Sequence, residues 1–351
     1  MNPLLASLAA GFGCGVEVRH AAYRHGWLKT HRLSAPVISV GNLTVGGTGK
    51  TPLVALVVRI LLRHGWKPSI LTRGYARQSK TDLIVVAPAR ERRADASEVG
   101  DEPAILARAL PDVPLVVCSD RFRGGRAAEE RFQVDVHILD DGFQHLALHR
   151  DVDLVALDST RPLDDLALLP AGRAREPLAA LRRAQMVVIT RVDSGRLQPL
   201  EERVRELNAG IEIFHSSTEL VGLADAATGS GVAIETLRAQ KAAAFCGIAN
   251  SRAFFKDLRR WGFSLAAEDA FPDHHVYTEQ EIRGLVAGAQ AKGAAALLTT
   301  EKDAVKLACG WRPELPIVTC SIVSRVWEDE AFERTLLTYL ERVRRRTDDS
   351  A

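Results

Sequence analysis

No stretch of the 351-residue sequence comes near the ~20 consecutive apolar residues that a membrane-spanning helix requires, so the chain is not expected to cross a bilayer. Cysteine is scarce: Cys14, Cys118, Cys246, Cys309 and Cys320 are odd in number, far apart and without a C-x-x-C pair. That argues for a reducing compartment and against a disulfide framework or a cysteine-built zinc site. An excess of either charge is missing too, since 46 Lys and Arg face 44 Asp and Glu, and the net charge of +2 gives no reason to expect a nucleic-acid partner. There is no internal repeat and no low-complexity linker. The apolar stretch from Pro3 to Val16 lacks the basic residues that precede a signal-peptide core, so export is not expected.

What is present reads as a globular chain, 46% hydrophobic and 26% charged, long enough for one large or two moderate domains. From Pro36 onward short β-branched runs alternate with helical patterns, which is the signature of βαβ units. The predicted strands are Val37 to Val40, Ile70 to Thr72, Leu83 to Val86, Leu115 to Val117, Val136 to Leu139, Leu154 to Leu157 and Met186 to Thr190. Helices are predicted at Thr51 to His64, Glu102 to Ala109 and Arg123 to Arg131. The strands are continuously apolar rather than alternating, which implies burial on both faces and a doubly wound, mostly parallel sheet.

A second, smaller α/β domain is expected at about residues 220–312, after a kinase-sized domain at 36–210. It would contain strands Ala242 to Phe245 and Ala295 to Leu298 and helices Ser251 to Arg260 and Glu279 to Ala291. Ile211 to His215 and Pro316 to Ser321 flank it and could pair as a two-stranded connector. Residues 313–351 would then return to the first domain through a helix at Glu328 to Arg345.

The run from Val37 to Pro52 is a buried strand, a glycine-rich turn and a helix start. Gly46, Gly47 and Gly49 let the backbone N–H groups around Thr48 converge on phosphate oxygens. Lys50 can reach the β- and γ-phosphates, and the Thr51 hydroxyl can ligate Mg²⁺. The first glycine of the strict G-x-x-x-x-G-K-[ST] pattern is Thr44 here, so the match is to G-G-x-G-K-T; an incidental glycine-rich turn is the plainer alternative. A second apolar strand ends in Asp140-Asp141-Gly-Phe-Gln-His145. Carboxylates at the carboxyl end of a parallel strand face the ligand crevice and can hold Mg²⁺, though Asp-Gly alone would also make a turn.

The motifs GNLTVGGTGKTP, RGYAR, GDEP, DDGFQH, PAGRAREP, FPDHH and TTEKDAVK occur in this order, and together they resemble the bacterial lipid A 4′-kinase family, a branch of the P-loop NTPases. The resemblance runs from about Pro36 to Lys306. It implies transfer of the ATP γ-phosphate, with Mg²⁺, to the 4′-hydroxyl of a tetraacyl glucosamine disaccharide 1-phosphate, by a peripheral enzyme on the cytoplasmic face of the inner membrane. By position it implies Asp101 as catalytic carboxylate, His274 as its assistant, Lys50 on the phosphates, and Thr51, Asp140 and Asp141 at the metal. Arg73, Tyr75, Glu102, Arg121, Gln144, His145, Arg175 and Glu176 become candidate substrate residues. The family more often has an aliphatic residue where Ala174 stands in GRAREP.

Read without the resemblance, these sites are plainer. Pro103 favours the first helical position, which would put Glu102 at the cap and Asp101 just outside it. Thr278-x-x-Glu281 is a capping box that leaves His274 and His275 in the preceding loop, and Thr300-x-x-Asp303 is another helix start. Thr190 to Asp193 weakly resembles the base-reading element of GTPases but lacks its lysine.

Leu5, Leu8, Phe12 and Val16 recur at helical spacing, and Arg19, Arg24, Lys29 and Arg32 follow with Tyr23 and Trp27 between them. Such a segment, residues 1–35, suits a helix lying on an anionic membrane surface, although Gly11, Gly13 and Gly15 weaken it and packing on the protein's own surface is the alternative. The chain is expected to act as a monomer. The rival readings are a nucleotide switch of the partitioning or metal-chaperone ATPase or GTPase type, many of which carry a lysine where Val45 stands, and a soluble small-molecule kinase, which would not need the basic apolar N-terminus.

Overall fold

The computed structural model describes residues 3–75, 77–87, 95–193, 195, 197–307 and 313–348. Ala76 of the RGYAR motif, Cys309, and the outer ends of the ranges 1–35, 220–312 and 313–351 therefore lie outside the described residues.

The strands are β1 (Val37–Asn42), β2 (Pro68–Thr72), β3 (Leu83–Ala87), β4 (Leu115–Cys118), β5 (Val136–Asp140), β6 (Val152–Asp158), β7 (Met186–Thr190), β8 (Glu212–Asp225), β9 (Gly231–Val232), β10 (Lys241–Cys246), β11 (Ser264–Ala270), β12 (Leu297–Thr300) and β13 (Ile317–Val326). The helices are α1 (Pro3–Arg24), α2 (Lys50–Arg63), α3 (Ala96–Val99), α4 (Asp101–Ala109), α5 (Arg121–Arg131), α6 (Gln198–Leu207), α7 (Ile234–Arg238), α8 (Ser251–Arg260), α9 (Glu279–Ala291), α10 (Glu301–Ala304) and α11 (Asp329–Asp348).

All the strands belong to one 13-stranded sheet in the order β11-β10-β12-β13-β8-β7-β6-β1-β5-β2-β4-β3, with β9 on β8. Pairing is parallel except for β3 on β4, β13 on β8 and β8 on β9. Alternate residues of the central strands feed different cores. Ile38, Val40, Leu154, Ala156, Met186 and Val188 pack with α2, α4 and α11, whereas Val155, Leu157, Val187 and Ile189 pack with Leu181, Leu200 and Val204 on the other face. The same division recurs in β10, where Ala242, Ala244 and Cys246 face α8 and Ala243 and Phe245 face α9. Both faces of every such strand are thus dry, which is why the strands carry no alternating polar residues.

Three expectations need correction. Ile211 to His215 does not pair with Pro316 to Ser321: residues 212–216 lie parallel to β7, and it is Ser216 to Asp225 that runs antiparallel to β13. The reason is length, because β8 has 14 residues and reaches both neighbours in turn. The strand expected at Ala295 to Leu298 starts two residues later, at Leu297. Asp101 is not outside α4 but is its first residue, with Gly100 as N-cap at φ 98°. That leaves Pro103 in the third helical position rather than the first, still within the turn where a missing N–H is harmless. The strand β11 and the helix α6 had no forecast, and α1 runs unbroken through its three glycines.

Candidate active site

The turn between β1 and α2 is shaped by two glycines in the left-handed region, Gly46 at φ 103° and Gly49 at φ 80°. A Cβ on Gly46 would come within 2.7 Å of the Arg173 guanidinium and 2.9 Å of Ala249 Cβ, so the loop is closely packed against two distant segments of the chain. Inside it, Asn42 Nδ2 donates to Thr48 Oγ1 (3.0 Å) and to the Thr44 carbonyl (2.8 Å), and Thr190 Oγ1 donates to the Thr48 carbonyl (3.0 Å). The backbone N–H groups that follow are the free first donors of α2, and the helix dipole adds to their positive potential. Lys50 is the first residue of that helix and Thr51 the second.

β5 delivers Asp140 and Asp141 to the same end of the sheet. Asp141 has φ 51°, a conformation that costs about 1–3 kcal/mol and persists where surrounding contacts impose it. Here they do: Arg175 Nη2 and Nη1 donate to its two carboxylate oxygens at 2.7 and 2.8 Å, and Lys50 Nζ lies 3.5 Å away. Burial opposes its ionisation, but Lys50 and Arg175 overcome that and hold the carboxyl well below its ordinary range.

Asp140 is the opposite case. Burial, and then the charges of Glu102 and Asp141, push its carboxyl up. Its Oδ2 accepts from Thr72 Oγ1 (3.0 Å), while its buried Oδ1 has no partner. A buried carboxylate oxygen without a donor fits a cation, and the Thr51 hydroxyl supplies a second oxygen of the kind Mg²⁺ takes. Among the described residues no group of three or more His, Cys, Asp or Glu gathers into a metal cage.

Asp101 and His274 are 173 positions apart in sequence, yet His274 Nδ1 lies 3.0 Å from Asp101 Oδ2. His274 also has a positive φ, 61°, and its ring lies 5.1 Å from that of Tyr75. Although burial works against it, the hydrogen bond to His274 and the charge of Lys302 hold the Asp101 carboxyl below its usual value.

The remaining predicted residues fall into two groups. Gln144 donates to the Asn42 carbonyl (3.0 Å), and Glu176 is buried where it accepts from Arg183 (2.6 Å) and meets His20 of α1 (3.5 Å). These two brace the phosphate loop and the 170–177 segment. His145 is half-buried, and partial burial, then the charges of Arg121, Arg150 and Arg19, lower its imidazole to about 4, so it is neutral near pH 7. Arg121 is buried and donates to the Ser119 carbonyl (2.8 Å), while Arg73 and Tyr75 are exposed at the end of β2.

Sequence reasoning missed a set of cations at the mouth of the phosphate loop. Arg173 donates to the Val45 carbonyl (3.1 Å), and Arg191 lies on Asp158 (2.7 Å) and the Gly47 carbonyl (3.4 Å). Asn250 joins them from the other side by donating to Asp158 (3.2 Å) and Thr160 (3.0 Å). Their advance signals were weak: the position of Arg173 in PAGRAREP and that of Arg191 in the Thr190 to Asp193 segment.

A glycine-rich loop feeding a helix, with an acidic strand end beside it on a mostly parallel sheet, defines a nucleotide-using enzyme of the P-loop class. Within that class the chain belongs to the tetraacyldisaccharide-1-P 4′-kinase family, whose model matches residues 1–341. It is 42% identical over 304 residues to the tetraacyldisaccharide 4′-kinase of Geobacter metallireducens, covering 87% of this chain and 88% of that one. To the enzyme of the same name from Geobacter sulfurreducens it is 39% identical over 336 residues, covering 96% and 93%. A crystal structure of LpxK from Aquifex aeolicus in complex with ATP superposes with a TM-score of 0.75 at 30% identity, over 95% of this chain and 98% of that one. The protein is a kinase, and the nucleotide-switch reading is not favoured.

Proposed function

We propose that this kinase phosphorylates the 4′-hydroxyl of a tetraacyl glucosamine disaccharide 1-phosphate from ATP, with Asp101 assisted by His274 as the base. Asp101 accepts the proton of the attacking hydroxyl while its oxygen bonds to the γ-phosphorus, and the bond to the β,γ-bridging oxygen breaks to release ADP. Lys50 and the loop N–H groups stabilise the charge that spreads over the phosphoryl oxygens. Thr51 and Asp140 would hold Mg²⁺, which supplies further neutralisation when bound, and Arg175 fixes Asp141 beside Lys50. The observation that carries this reading is the 3.0 Å contact that brings a loop histidine onto a buried carboxylate from a distant part of the chain.

In the same reading residues 36–210 form the nucleotide domain, 220–312 the smaller one, and 313–351 the return. Arg73, Tyr75, Arg121, Gln144 and His145 line the acceptor side. The protein works as a monomer at the cytoplasmic face of the inner membrane, docked through α1. Leu5, Leu8, Phe12 and Val18 of that helix are exposed, as is Trp27 at 77%, and no helix among the described residues is long and apolar enough to cross a membrane.

The test is ATP turnover with and without detergent-dispersed disaccharide 1-phosphate, with the new phosphate located by mass spectrometry. Turnover that ignores the lipid, or a phosphate placed elsewhere than the 4′ position, overturns the reading.

A further inference from the structure

The TTEKDAVK segment is among the motifs to which the reaction above gives no task. Its first residues build a rigid platform. Thr300 caps α10 by accepting from the Asp303 N–H (3.1 Å), and Asp303, fully buried, accepts from the Gly247 N–H (3.1 Å) and Tyr277 Oη (2.9 Å) and forms an ion pair with the Lys306 ammonium (2.9 Å). A carboxylate so held fixes the turn on which Lys302 stands.

From that turn the Lys302 ammonium reaches four groups on two other parts of the chain. Asp273 Oδ1 and His274 Nε2 are each 3.4 Å from it, Glu102 Oε1 is 3.5 Å and Asp101 Oδ2 is 3.9 Å. Its side chain is only 17% exposed. Three carboxylates therefore converge from α4 and from the loop before α9, and they would repel one another without a cation among them.

The contacts also choose a tautomer. Lys302 can only donate, so its contact with Nε2 favours the arrangement in which the Nδ1 proton faces Asp101. Both histidine nitrogens are satisfied by a single arrangement.

We propose that Lys302 is a positioning residue for phosphoryl transfer, the cation that holds Asp101 and His274 together across the join between α4 and the 271–275 loop. The proposal rests on the Asp101–His274 reading. The charged and titratable groups around the pair are Glu102 on α4, Asp273 on the loop, Lys302 and Lys306 at α10, and Tyr75 after β2. Lys302 favours the ionised form of Asp101, so removing it lets the pair take up a proton at higher pH.

The experiment compares the full chain carrying Lys302→Met or Lys302→Arg with the unmodified protein, using ATP, Mg²⁺ and the disaccharide 1-phosphate. For Lys302→Met, kcat should fall roughly 10–100-fold with KM for ATP little changed, and the acid limb of the kcat/KM profile should move up by about one pH unit. Lys302→Arg keeps the charge, and should restore the acid limb and most of kcat, although its planar head cannot reproduce every contact. A folded Lys302→Met protein with the unmodified pH profile overturns the proposal. Should that variant fail to fold, a folded Lys302→Arg protein with an acid limb displaced from the unmodified one overturns it equally. Activity lost in Asp101→Ala and His274→Ala but not in the Lys302 variants would sink this inference alone, whereas normal kcat in Asp101→Ala would sink the underlying reading.

Discussion

The phosphate loop and the Asp101–His274 pair differ in how much of the chain must be in place before either exists. The loop needs β1, the start of α2 and a few braces such as Thr190, and most of its donors are backbone groups of consecutive residues. The pair joins residues 173 positions apart and needs α4, α10 and the 271–275 loop to meet. A site of the first kind binds whenever one part of the sheet is folded, whereas a site of the second kind reports how two parts are placed. Nucleotide affinity and phosphoryl transfer should therefore be separable.

The largest expected effect comes from the loop itself. Lys50→Ala and Asp141→Asn should each lower kcat/KM by roughly 10³-fold or more while the proteins stay folded, as steady-state kinetics with circular dichroism can establish. Near-normal rates in both would remove the loop from one side of the comparison.

Next come Asp101→Ala, His274→Ala and the double variant. All three should lose kcat to a similar extent, on the order of 10²-fold, while titration calorimetry finds ATP binding nearly unchanged. Multiplicative losses would mean that the two residues act separately and that no assembled site exists.

Asp303→Asn sharpens the contrast by loosening the platform beneath Lys302. Removing the charge strands Lys306 and weakens the bonds from Gly247 and Tyr277, which should cost about 2–4 kcal/mol in chemical denaturation. ATP affinity of the folded fraction should not change, and if it falls in step with kcat the two sites are not independent.

The smallest effect concerns the membrane. Deleting residues 2–30 should weaken binding to anionic liposomes and raise KM for the lipid several-fold, more than it lowers ATP affinity. Because Arg19 donates to the Gln144 carbonyl and His20 meets Glu176, Leu8→Glu with Phe12→Glu is the cleaner variant, and flotation equal to that of the full chain would discard the docking surface.

The loop side of the comparison was legible in advance because consecutive residues encode it. Continuous apolar runs located the central strands, and Gly46, Gly49 and Lys50 needed only a strand before and a helix after. The pair was legible only through a resemblance, since GDEP and FPDHH taken separately read as a helix start and a loop. Gly100 as N-cap shows why local rules misplaced Asp101: proline tolerates any position in the first turn, so Pro103 could not fix the register. Lys302, Arg173 and Arg191 stayed silent because their partners are tertiary, and α1 was underrated because its glycines were weighed without the contacts from Arg19 and His20. The merging of both parts into one sheet depended on β8, whose length has no marker in its composition.

The route of the chain through β8 and β13 has a bearing on how this family can vary. The Ala226 N–H donates to the Ile317 carbonyl at 2.9 Å, so the stretch from 226 to 316 leaves and re-enters the remainder of the molecule at a single point. To the residues outside, that stretch is a closed loop whose ends are already tied. Lengthening such a loop is cheap, since each doubling adds only about 0.6 kcal/mol of closure entropy. Surface turns within it can therefore be extended or exchanged without rethreading the nucleotide end, and new acceptor preferences can arise there while the phosphate machinery is left as it was.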